Sequence, residues 1–83
     1  MASQQIWIRP MTPEDKEFYQ ALGQRLAQAR KELGYTQQQV ADQLGISQQT
    51  LAHYEVGRLR LAVSTLYNLA QMLHTTTDEL LSI

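Results

Sequence analysis

Apolar positions along this chain recur at helical spacing in successive stretches, each bounded by residues that start or stop a helix. Phe18, Leu22, Leu26, Ala29 and Leu33 follow one another at intervals of three or four, giving one apolar stripe along a first helix. Thr12 stands as its N-cap, Pro13 takes the first helical position, and Glu14 and Asp15 put acid into the first turn. Gly34 ends it, and Gln24, Gln28 and Lys31 occupy the outer face.

The next stretch, Thr36 to Gly57, reads as two short helices joined by a tight turn. Thr36 caps the first, and Gln39 three residues later completes a capping box. That helix runs from Gln37 to about Leu44, and Gly45 follows where a positive φ is needed. Ser47 caps again, Gln48 to Glu55 forms the second helix, and Gly57 stops it. Val40, Leu44, Ile46, Leu51 and Tyr54 are the inward apolar positions, with the small Ala41 where two crossing helices would crowd a larger side chain. At about 100° per residue, Gln49, His53 and Val56 face outward on the second helix, and Gln48 lies at its exposed N-terminal end. Two helices joined in this way are a helix-turn-helix.

Residues 56–61 form a loop. A fourth helix is predicted from about Val63 to Leu73, with Leu66, Leu69, Ala70 and Leu73 inward and His74 capping its C-terminus. Thr76, followed by Thr77, Asp78 and Glu79, caps a short final helix through Leu81. Residues 1–12 lack this periodicity. Ile6-Trp7-Ile8 is an apolar, β-prone run ended by Arg9-Pro10, a candidate strand. A lone strand is not stable, so this one either covers the helical core of its own chain or pairs with its copy in a dimer. The predicted organisation is an all-α, five-helix domain over residues 13–83 preceded by an N-terminal extension over residues 1–12.

The small residue, the turn glycine and the apolar positions together closely resemble the Cro/cI-type (XRE-like) helix-turn-helix family, the fold of the lambdoid phage repressors. The resemblance covers residues 20–81 and none of residues 1–17. It implies that the second motif helix lies in the major groove of double-stranded DNA with its first residues on base edges. Gln48 and Gln49 match the base-reading positions, and Thr50 and His53 lie further along the same surface. A glutamine amide gives and accepts a hydrogen bond at once, which suits the adenine edge. Single surface glutamines usually belong to a solvated face; two adjacent ones at the start of this helix favour base contact. His53 stays open between a base, a phosphate and plain exposure. Gln37 matches a phosphate-binding position at a helix N-terminus. Arg58 and Arg60 are phosphate candidates from the loop or are merely solvated. Arg30 and Glu55 match a structural ion pair, and Glu55 lies near the inward arc, where an unpaired charge is costly. Val56 departs from the family, which often has Asn there, and Ala62 stands where relatives usually cap with Ser or Thr.

Composition limits what else the chain can be. Eighty-three residues with 43% hydrophobic content suit one small helical domain. With no cysteine there is no disulfide or thiolate site, and with only His53 and His74 no metal is expected. No apolar run approaches the length of a membrane span or signal core, so no membrane partner and a cytoplasmic location are expected. The net charge of −1 runs against the usual basic balance of nucleic-acid binders. Glu14, Asp15 and Glu17 explain part of it and lie far along the chain from the motif, whereas Arg58 and Arg60 follow the second motif helix directly. No nucleophile–base spacing, carboxylate pair or phosphate-cradling glycine loop is present, so neither an enzyme nor a cofactor is expected.

These readings converge on a sequence-specific transcriptional regulator, a repressor that binds a palindromic operator as a homodimer. The runner-up is the antitoxin of a toxin–antitoxin pair, which would add a toxin protein partner. A pure protein-interaction module is a third class, separable by its lack of salt-sensitive DNA binding.

Overall fold

The local signals for helix ends recur in the computed structural model, which describes residues 10–82. The order is α1 (Pro13–Glu32), α2 (Gln37–Leu44), α3 (Gln48–Glu55), α4 (Val63–Met72) and α5 (Thr77–Leu81), an all-α arrangement among the described residues. The Ile6-Trp7-Ile8 run lies outside them.

Each start is built as the residue types demand. Thr12 Oγ1 accepts from the Asp15 N–H at 3.1 Å while Asp15 Oδ2 accepts from the Thr12 N–H at 3.1 Å. Thr36 and Gln39 form the same reciprocal pair at 3.0 and 2.8 Å. Ser47 Oγ accepts from the Thr50 N–H, and Thr76 Oγ1 from that of Glu79. Ala62 has no side chain with which to cap α4. Such caps stabilise a helix by about 1 kcal/mol.

The far end of α4 stops one residue earlier than the pattern suggests, with Leu73 as its C-cap. His74 follows at φ 57. Its backbone N–H donates to the Gln71 carbonyl and the Thr75 N–H to the Ala70 carbonyl at 2.9 Å. His74 therefore closes the helix through a left-handed backbone, independently of its imidazole.

Leu22, Leu26, Val40, Ala41, Leu51, Leu66, Leu69, Ala70, Leu73 and Leu80 form the buried core, with Leu44, Ile46 and Tyr54 packed against it. α1 lies across α3 and α5, α2 packs on α3 and α4, and α4 touches α5. Arg25 Nη1 adds a bond to the Leu80 carbonyl, tying α1 to α5.

The predicted stripe on α1 is shorter than its spacing suggests. Phe18 is 48% exposed and Leu33 40% exposed. From Phe18 to Leu33 the spacing averages more than 3.6 residues, so the stripe turns by about 60° around the helix. Its two ends leave the core: Phe18 meets the Tyr19 ring edge-on at 5.2 Å, and the inward place in the last turn belongs to Arg30.

The acids of α1 are distant from the motif only along the chain. Asp15 Oδ2 stands 3.7 Å from Arg60 Nη2, so folding returns the first turn of α1 to the loop after α3.

Candidate nucleic-acid interface

The motif helices α2 and α3 meet through Gly45, at φ 73, and the cap Ser47. This leaves the first residues of α3, Gln48 and Gln49, exposed. What aims α3 is its contact with α1. At Gly23, near the middle of α1, an added Cβ would stand 2.4 Å from the carbonyl oxygens of Glu55 and Tyr54. At Gly57 it would stand 2.6 Å from the backbone nitrogen of Gln20. α1 and the end of α3 therefore approach backbone to backbone, which only residues without a side chain permit.

On that contact sits a chain of hydrogen bonds whose direction follows from donor and acceptor chemistry. Arg30 can only donate and an ionised Glu55 can only accept. The guanidinium gives two bonds to the carboxylate, Nε to Oε2 at 2.7 Å and Nη2 to Oε1 at 3.0 Å, and Nη1 gives a third to the Tyr35 carbonyl at 2.8 Å. Gln37 Nε2 donates to Glu55 Oε1 at 2.9 Å, so the Gln37 amide oxygen faces away from the carboxylate. That oxygen accepts from Gln48 Nε2. The relay thus runs from the interior of α1, through the first residue of α2, to the first residue of α3. It sets which way the Gln48 amide points.

Arg30 and Glu55 are 8% and 7% exposed, so their charges are largely withdrawn from water. The paired arrangement satisfies both, and no buried side-chain nitrogen or oxygen among the described residues lacks a partner. Burial makes this bidentate bond strongly dependent on both members being present.

The other predicted site residues stand as follows. Gln49 is exposed and makes no side-chain hydrogen bond to a described residue. Thr50 is half-buried, its hydroxyl 2.9 Å from Ser47 Oγ. His53 is half-buried on the same helix, and Arg58 and Arg60 are exposed in the loop, Arg60 beside Asp15. Gln37, Gln48 and Glu55 are brought together; Arg58 and Arg60 are not part of that cluster. After binding Glu55 and Gln48, Gln37 retains one N–H, while Gln48 retains one N–H and its amide oxygen. These are the groups a phosphate and an adenine edge require.

Two features escape the sequence reading. Gly23 interrupts an otherwise continuous helical pattern, a visible signal of close backbone approach. The Gln37–Gln48 bond joins residues whose spacing carries no such signal.

A helix-turn-helix family model matches residues 26–80. Among curated relatives, the chain is 42% identical over 59 residues to the SPbeta prophage-derived uncharacterized HTH-type transcriptional regulator YonR of Bacillus subtilis, covering 71% of this chain and 55% of that protein. It is 38% identical over 61 residues to the HTH-type transcriptional regulator ImmR of the same organism, covering 74% and 48%. It is 43% identical over 61 residues to the uncharacterized HTH-type transcriptional regulator y4dJ of Sinorhizobium fredii, covering 74% and 79%. The chain thus spans about half the length of YonR and ImmR. The crystal structure of the hypothetical transcription factor NHTF from Neisseria shares the fold, with a TM-score of 0.72, 22% identity and coverage of 88% of this chain and 84% of that one. This chain belongs to the Cro/cI-type, XRE-like helix-turn-helix family.

Proposed function

We propose that this chain is the sequence-specific, double-stranded DNA-binding domain of a transcriptional regulator, acting as a repressor on a palindromic operator. The carrying observation is the relay from Arg30 to Gln48, which presents the amide of Gln48 in one orientation beside the exposed Gln49. In this reading α3 enters the major groove, Gln48, Gln49, Thr50 and His53 face the bases, and Gln37, Arg58 and Arg60 face phosphates. Residues 13–83 form the binding unit and residues 1–12 an extension to it.

A homodimer follows from the palindrome, because two-fold symmetry sets two recognition helices roughly 34 Å apart. Support for it comes from α4. Residues 61–73 contain no charged side chain, and on the outer face of α4 Val63 is 84% and Tyr67 57% exposed. A surface without charge, with an aromatic at its centre, is of the kind found at the buried centre of interfaces, and it does not repel its own copy.

Binding selection from random duplexes tests the proposal. The expected result is a symmetric consensus with affinity that falls steeply with salt. Absence of any salt-sensitive binding to duplex DNA would remove it.

A further inference from the structure

An open cleft of about 710 Å³ lies where the first turns of α1 pass the end of α3, lined in part by Lys16, Gln20, His53, Val56, Gly57 and Arg58. Its cationic and titratable side chains come from separate elements: Lys16 from α1, His53 from α3 and Arg58 from the loop. None of these three side chains makes a hydrogen bond or ion pair with another described residue. The nearby acid, Asp15, is at Arg60. On α1, Glu17 is turned by about 100° from Lys16 and Glu14 by about 160°, whereas Gln20 falls on the same face. The cleft wall on α1 is therefore cationic, although the first turns of that helix carry Glu14, Asp15 and Glu17.

We propose that this cleft seats one backbone phosphate of the bound duplex between Lys16 and Arg58, and that Lys16 extends the DNA-contacting surface beyond the helix-turn-helix onto α1. The inference rests on the DNA-binding reading above and adds to it a contact from outside the motif. Its occupant is fixed by charge and position. Lys16 and Arg58 both line a hollow that adjoins the outward face of α3 at His53 and Val56, so a strand lying along that face carries its phosphates past the opening. A phosphate there would meet a compact ammonium on one side and a guanidinium on the other. The backbone approach at Gly57 and Gln20 fixes the spacing of these walls in the free protein.

The test uses the purified chain and a duplex selected by the wild type. Fluorescence anisotropy is measured over a range of salt, with circular dichroism and thermal melting to confirm that the variants fold. Lys16→Ala should lower the slope of log K against log salt by less than about 1, because Arg58 stays on the same phosphate. Lys16→Ala combined with Arg58→Ala should lower it by about 1, an affinity loss of about eightfold at 0.1 M salt, equal on selected and random duplexes. Lys16→Arg should keep the wild-type slope. Replacing single phosphates with uncharged methylphosphonates should then identify one backbone position whose neutralisation costs less in both Lys16→Ala and Arg58→Ala than in the wild type, and costs nothing in the double variant. If the wild type binds but Lys16→Ala leaves the slope unchanged, the cleft proposal fails while the DNA-binding reading stands. If the two variants map to different phosphates, the shared seat is refuted. If the wild type binds no duplex, both readings fall together.

Discussion

Gly23 of α1 lies so close to Glu55, at the end of α3, that a Cβ on Gly23 would reach within 2.4 Å of the Glu55 carbonyl oxygen. Taken alone, alanine is the better helix former by about 1 kcal/mol. Overpacking a close contact typically costs about 1–3 kcal/mol, and here the obstructing atoms are backbone carbonyls that cannot rotate away. Gly23→Ala should therefore destabilise the fold despite improving helix propensity. Urea denaturation would show a lower midpoint at unchanged slope. DNA affinity should fall as well, because the contact sets the tilt of α3. A stability equal to or above wild type would show that α1 yields at this point.

The Arg30–Glu55 pair ties the same two helices through side chains, and it is buried on both sides. Arg30→Met leaves the Glu55 carboxylate in an apolar setting with only Gln37 as partner. A loss of about 3–5 kcal/mol is expected. Adding Glu55→Gln should recover much of it, although not the bond from Arg30 to the Tyr35 carbonyl. A double-mutant cycle by urea denaturation measures the coupling. A value near zero would mean that the two groups do not act as a pair in solution.

Base contacts and backbone contacts should separate in a binding library. Gln48→Ala and Gln49→Ala should relax preference at individual base pairs, each at about 1–3 kcal/mol on the preferred site. Arg58→Ala should weaken all sequences alike and reduce the salt slope by up to about 1. Gln48→Glu should be worse than Gln48→Ala, because it sets an acceptor against the amide oxygen of Gln37. Identical library profiles for Gln48→Ala and Arg58→Ala would undo the assignment of roles.

The proposed dimer has two candidate surfaces, the extension containing Trp7 and the uncharged face of α4. Tyr67→Lys should render the protein monomeric at micromolar concentration in sedimentation velocity, with the helical circular dichroism retained, since Tyr67 is 57% exposed and outside the core. Deleting residues 1–9 should leave the dimer intact if α4 forms the interface. The opposite pair of outcomes would assign dimerisation to the extension.

Much of the helical framework was legible along the chain because its signals act over a few residues. Thr12 with Asp15, Thr36 with Gln39, and Ser47 with the Thr50 N–H are contacts across a single turn, and residue type alone predicts them. The apolar spacing of Val40, Leu51, Leu66 and Leu69 likewise states which faces turn inward. The resemblance to the helix-turn-helix family placed Arg30 opposite Glu55, but spacing alone would not have. Only the tertiary structure decided that Gln37 stands between Glu55 and Gln48, that Asp15 returns to Arg60, and that Lys16 shares a cleft with Arg58. It also decided that Phe18 and Leu33, apolar and regularly spaced, fall off the ends of the core. The physical reason is that caps and stripes depend on one helix, whereas these contacts depend on how closely and at what angle helices cross. At Gly23 and Gly57 that approach is set by the absence of a side chain, a fact written in the sequence whose consequence exists only once α1 and α3 meet.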